Sequence, residues 1–345
     1  MTTSGLAHAD LDRVPAPRKP ETADETRRPT VGLVTAIPEE FVAMRVLLDD
    51  SIERIVPEDP AYYVLGTLPS RDARRRHGIA LTLLGATATN AAATGCANLI
   101  RSFDSISVVI MVGIAAGIPN PQRPERHVRL GDIVVATQGI VDYDHVYSVD
   151  GAVEQRRSFP APSPRLTQSA DMLKADELSG HRAWEQWLDL SRHPELNGYG
   201  RPPDRTDVLR DSTGWQLRHP PRNHSGHRKG LPKVHYGLVG SANRSVRDAA
   251  ARDQLAARHG FLAVEMEGAG VGIGSFLGGR EWFMVRGISD YADSQRDETW
   301  QRYASLAAAA YVRALLSKCL PIEPRRTELG DEHVPGATWE GESRP

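Results

Sequence analysis

Residues 283–310, FMVRGISDYADSQRDETWQRYASLAAAA, hold an apolar run that stops at a carboxylate before a long Ala-rich stretch. Residues 283–288 read as a buried strand and 299–320 as a helix. Open α/β sheets bind ligands in the crevice outside the carboxyl ends of their strands, so Asp290 is a candidate acid or base rather than a surface charge. Asp293, three residues on, suits a cap for the segment that follows.

Working outward, the same alternation recurs. Strand-like runs occupy 31–36, 80–85, 107–112, 132–136, 235–239 and 262–265, and helical periodicity covers 39–48, 90–103, 245–259 and 268–277. Alternating strands and helices predict an α/β domain, a mixed sheet flanked by helices, over residues 29–321. Residues 151–232 break the rhythm with Pro160, Pro162, Pro164, Pro202, Pro203, Pro220 and Pro221. They read as a long insertion in a single domain rather than a second core, with one short amphipathic patch around 184–190. Residues 1–28 and 322–345, poor in large apolar side chains, are expected to be disordered tails.

A formal charge of −2 argues against a dedicated nucleic-acid binder and favours a small ligand. Cys96 and Cys319 are the only cysteines, which leaves neither a disulfide framework nor a Cys-based zinc site. No apolar run approaches the roughly 18 residues of a membrane span, and a cytoplasmic protein is expected.

Two further acidic constellations sit where strands end. Val264-Glu265-Met266-Glu267-Gly268 hands a strand to a Gly-rich helix. Ionised glutamates there suit a polyhydroxyl ligand such as ribose, although a charge at a helix's positive end explains one of the pair. Thr35-Ala36-Ile37-Pro38-Glu39-Glu40 repeats the arrangement, with helix capping as the plain explanation. Other motifs count for less. Gly272, Gly274 and Gly278 lie inside a helix and suggest close packing rather than dinucleotide binding. His219, His224 and His227 look like a mobile loop lacking a carboxylate, and no metal is expected. Seven Arg or Lys against three Asp between 201 and 229 suggest a cationic wall or, more plainly, a solvated loop.

Taken together, VGLVTAIPEE, MVGIAAGIP with RLGDIVVA, HYGLVGSANR, AVEMEGAG and VRGISDYAD resemble the nucleoside phosphorylase and methylthioadenosine/S-adenosylhomocysteine nucleosidase superfamily. The ending DYADSQRDETWQRYASLAAAAYVRALL and the insertion are similar to nucleosidase-like domains joined to ankyrin, tetratricopeptide or NACHT-type regions, and to bacterial antiviral ATP nucleosidases. The resemblance implies hydrolysis of a purine nucleoside or nucleotide, with water as nucleophile and no cofactor, in a homo-oligomer. It implies that Asp290 protonates the purine and Glu40 orients the water. Glu267, with Glu265 beside it, would hold ribose hydroxyls over Met266, and Arg286 and Ser289 would support Asp290. Ser245 and Val246 would border the base, and the turn with Gly113, Ile114 and Ala115 would approach through its backbone.

Cleaving a C–N glycosidic bond calls for an acid on the base side and a water activator on the sugar side, which agrees with paired carboxylates. Phosphorolysis is the nearest alternative. Where phosphorylases of the superfamily place Arg and Ser or Thr, this chain has Met111 and Ile114, which cannot hold a dianion. A non-catalytic nucleotide-sensing module is the other.

Overall fold

The computed structural model describes residues 28–150, 152–155 and 159–325, so the expectations for residues 1–27 and 326–345 lie outside it. Along the chain run β1 (Val31–Thr35), α1 (Pro38–Val46), β2 (Asp49–Arg54), β3 (Tyr63–Leu68), β4 (His77–Leu83), α2 (Thr89–Ser102) and β5 (Val108–Gly117). Then come β6 (Ile133–Val135), β7 (Ile140–Asp142), β8 (Val146–Val149), β9 (Ala152–Gln155), α3 (Pro164–Leu178), β10 (Leu209–Arg210), β11 (Gln216–Leu217) and α4 (Arg222–Ser225). The last group is β12 (Val234–Tyr236), β13 (Val239–Ser241), α5 (Ala249–His259), β14 (Ala263–Glu265), α6 (Gly268–Leu277), β15 (Glu281–Asp290) and α7 (Gln301–Lys318).

The main sheet runs β12-β6-β15-β5-β1-β4-β3-β2, with β14, β13 and β7 branching from the far end of β5. Its centre, β15, β5, β1 and β4, is parallel, and β3 and β2 add an antiparallel edge. Central strands covered on both faces read as continuous apolar runs, which is why 107–112 and 283–288 were legible. Val108, Ile110, Val112, Phe283 and Val285 pack on one face with α1, α3 and α7, while Val109, Met111, Trp282 and Met284 pack on the other with α2 and α6.

Three expectations change. Residues 235–239 are not one strand: β12 pairs with β6, and β13 pairs with β14 and β7, so the chain changes neighbours around Gly237. β2, sequence DDSIER, escaped notice because its residues are exposed or half-buried and carry no apolar alternation. The Pro-rich insertion does more than interrupt the pattern, because it packs into the domain's own core. Ser163 caps α3, with Pro164 at its first position, and Leu166, Ala170 and Leu173 enter the core at helical spacing. Trp184 is fully buried and lies 5.5 Å from Tyr311 of α7, ring centre to ring centre.

At the other end, residues 322–325 run against the body. Ile322 is buried, and Ser107 donates to the Glu323 carbonyl at 2.7 Å.

α7 lies close against β15. A Cβ at Gly287 would stand 2.0 Å from the Ala304 carbonyl oxygen, a backbone atom that cannot swing aside. Gly287→Ala should therefore cost about 1–3 kcal/mol, measured as a lower urea midpoint at unchanged slope.

Candidate active site

Parallel β1, β5 and β15 end on the same edge of the sheet. β14 runs antiparallel along the overhanging end of β5, pairing Val264 with Ala116. That reversal carries Glu265 and the Met266-Glu267 turn back towards the points where β1 and β15 stop. The result is a cavity of about 490 Å³ lined by Glu40, Ile114, Met266, Glu267, Ser289 and Asp290, among others.

Glu40 does two jobs. Oε2 accepts from the backbone N–H groups of Ala36 (2.6 Å) and Ile37 (3.3 Å), closing the N-terminus of α1 as capping would. Oε1 accepts from Ile114 N–H at 2.8 Å, which ties the helix to the β5 turn and keeps the carboxyl at the cavity wall. A Cβ at Gly113 would fall 2.3 Å from Oε1, so only glycine lets the turn come this near. Burial pushes the Glu40 carboxyl up to about 7, opposed by the Arg286 guanidinium and by the N–H groups of Ala36 and Ile114.

The Glu265–Glu267 pair divides its labour. Glu265 Oε2 accepts from the N–H groups of Glu267 (3.1 Å) and Gly268 (2.8 Å), and it pairs with Arg286. It is the helix-terminal charge that the plain explanation required. Glu267 supplies no cap. Its Oε1 accepts from Ala88 N–H at 3.1 Å, and its Oε2 lies 3.6 Å from Arg286 Nη2. Burial raises its carboxyl above the ordinary value, Arg286 opposes the rise and Glu265 adds to it. Glu265 Oε1, also buried, has no hydrogen-bond partner among the described residues.

Arg286 is fully buried beneath this group and neutralises it, a role different from the expected support of Asp290. Asp290 is the last residue of β15 rather than a residue beyond it. Its Oδ1 accepts from Ala292 N–H (2.9 Å), and its Oδ2 accepts from Ser289 Oγ (3.0 Å) and lies 3.2 Å from Arg296 Nε. Asp293 Oδ1 caps locally, accepting from Gln295 N–H.

Ala115, Ser245 and Val246 also line the cavity, while Gly113 and Arg286 stand behind its wall. Sequence reasoning missed Tyr143 and Arg296. Tyr143 faces the cavity beneath Arg244, whose guanidinium lies 5.2 Å from the ring centre and 3.1 Å from Asp144. An aromatic residue thus borders the site from the turn after β7. Only its place after a strand end hinted at this. None of residues 159–232 lines the cavity. Three of the cations suggested as a wall are paired with carboxylates of the same segment, Arg201 and Arg222 with Asp204 and Arg228 with Glu185.

The histidine loop is corrected too. His227 and His235 both place Nε2 on Asp132 Oδ2, at 2.7 and 2.9 Å, all three buried. His219 lies 2.9 Å from His127 and 2.9 Å from the Asp207 carbonyl, while His224 is exposed. The carboxylate thought to be missing is supplied by residue 132, far away in sequence. Burial opposes ionisation of Asp132, yet His227 and His235 hold it well below the usual carboxylate range.

Residues 30–317 match the family model described as the phosphorylase superfamily. A nucleotide-binding leucine-rich repeat (NLR)-like protein of Hyaloscypha variabilis is 28% identical over 327 residues, which are 90% of this chain and 31% of that relative. The chain therefore spans less than a third of that protein's length. A 5′-methylthioadenosine/S-adenosylhomocysteine nucleosidase of Mycobacterium bovis is 25% identical, covering 85% of this chain and 97% of the relative. Among solved structures, the Neisseria meningitidis enzyme of that name, in complex with methylthio-immucillin-A, shares the fold. Its TM-score is 0.55 at 19% identity, over 83% of this chain and 97% of that one.

Proposed function

Since the chain belongs to the phosphorylase superfamily, we propose that it is a nucleosidase that hydrolyses the N-glycosidic bond of a purine nucleoside or nucleotide, with adenine as the base. One observation carries this reading: Glu40, Glu267 and Asp290, from three different strand ends, line a single cavity. The name of the Mycobacterium bovis relative supports the reaction class.

In this reading water attacks C1′ and gives a proton to Glu40. The C1′–N9 bond breaks, its electron pair passes to the purine, and Asp290 supplies the proton at N7. Glu267, which lines the cavity, accepts from the ribose hydroxyls. The docking base displaces Arg296, which is partly exposed, from Asp290. Water rather than phosphate is the nucleophile because Met111 is buried in the core and Ile114 offers its N–H to Glu40. A dianion beside Glu39 and Glu40 would meet like charge.

The test is incubation with ATP, AMP, adenosine, methylthioadenosine and inosine, with and without phosphate, followed by chromatography of the free base. Adenine release without phosphate is expected. Release that needs phosphate and yields ribose 1-phosphate would make the protein a phosphorylase, and binding without release would make it a sensor.

The raised Glu40 carboxyl sets a pH dependence. Water activation needs the ionised form, so kcat/KM should climb as pH rises through about 7. Stability runs the other way. A folded value of about 7 against an ordinary 4.5 gives a contribution fully present below 4.5 and lost as pH rises through 7. Glu40→Gln should therefore flatten the fall in stability between pH 4.5 and 7 while slowing base release. A loss of stability between pH 4.5 and 7 that is as steep in the variant as in the parent would count against the raised carboxyl.

A further inference from the structure

We propose that Asp132, His227 and His235 form a structural site for a divalent transition metal, zinc by the chemistry of its donors. These are two imidazole nitrogens and one carboxylate oxygen. All three ligand atoms lie within 4.8 Å of one another, and all three residues are buried. Imidazole with a carboxylate is a set that zinc takes readily, at about 2.0–2.2 Å from each donor. A point between the three atoms requires only small outward movements of the two rings.

Three features separate this cluster from a chance meeting of polar side chains. It joins two stretches far apart in sequence: Asp132, just before β6, meets His227 at the end of the interrupting segment and His235 in the β12 strand that follows it, 95 and 103 residues away. His227 is oriented from behind, its Nδ1 lying 2.8 Å from Ser225 Oγ, so that Nε2 is the nitrogen turned to Asp132. Asp132 is oriented as well. Oδ1 accepts from Lys233 N–H at 2.9 Å and Oδ2 from Arg129 N–H at 2.8 Å. Such outer contacts on the ligands are what fixes a metal's donors in place.

The position gives the site a purpose. Ile288 N–H donates to the Asp132 carbonyl, and Gly131 N–H donates to the Ile288 carbonyl, each at 2.8 Å. Ser289 and Asp290 follow directly. A metal here staples the end of the inserted segment to β6 and β12 and braces the strand that ends at Asp290. It stands outside the cavity wall, so it takes no part in the chemistry and holds whatever reaction the cavity performs.

The full-length protein, prepared without a histidine tag, is dialysed against a chelator, titrated with zinc chloride and analysed for bound metal and thermal midpoint. About one zinc per chain is expected, with a midpoint that falls on chelation and returns with zinc. His227→Gln and His235→Gln keep an N–H donor for Asp132 but remove a zinc ligand. Each should fold, bind at least tenfold less zinc and show no zinc-dependent midpoint. Cobalt(II) added to the metal-free parent should give visible absorption that both variants lack. Less than about a tenth of an equivalent of zinc in the parent, with a midpoint indifferent to zinc, would overturn the proposal and leave a hydrogen-bonded network. Equal zinc binding by parent and variants would overturn it as well.

Discussion

Asp290→Asn is expected to slow base release by about 10²- to 10⁴-fold, the usual contribution of one positioned acid. Asn keeps the shape, the acceptor for Ala292 N–H and a partner for Ser289, so the fold around the end of β15 should survive. What disappears is the proton for the departing purine. The loss should therefore fall on kcat, with KM little changed, and single-turnover measurement of free adenine would show it. A 7-deaza substrate, which offers no N7, should bind the parent enzyme and resist cleavage. Turnover of the variant at the parent rate, with the fold intact, would remove Asp290 from the catalytic role.

Arg286→Met should be the most damaging single change to stability. The guanidinium is fully buried, pairs with Glu265 and stands 3.6 Å from Glu267, and its field lowers the Glu40 carboxyl. Removing it leaves acidic groups facing one another out of water, for which breaking a buried pair suggests a cost of about 3–5 kcal/mol. Urea denaturation would measure the deficit. It should narrow as pH falls, because Glu40, raised to about 7, and Glu267, raised by burial, then take up protons and the buried repulsion disappears. Adding Glu265→Gln to the variant should recover part of the loss. A deficit that is the same at every pH and untouched by the second substitution would mean that packing, not charge, holds this residue.

Much of the architecture was legible because burial leaves periodic marks. β5 and β15 read as strands since both of their faces are covered, and α6 was found with its observed bounds from its apolar run. α3 carried an adequate signal, Ser163-Pro164 followed by apolar residues at 166, 170 and 173, which the surrounding prolines obscured. The polar edge strand β2 carried almost none.

The sequence by itself determined the α/β pattern and the placing of Glu40, Glu265, Glu267 and Asp290 at strand ends, because periodicity and capping are local properties of the chain. Only the tertiary structure decided how those groups share the work. The antiparallel seat of β14 on β5 brings Glu267 to the cavity while Glu265 serves the helix and Arg286. Likewise, Asp132 meets His227 and His235 across separations of 95 and 103 residues. Such pairings depend on how distant strands are laid beside one another, and no local pattern of residues encodes that.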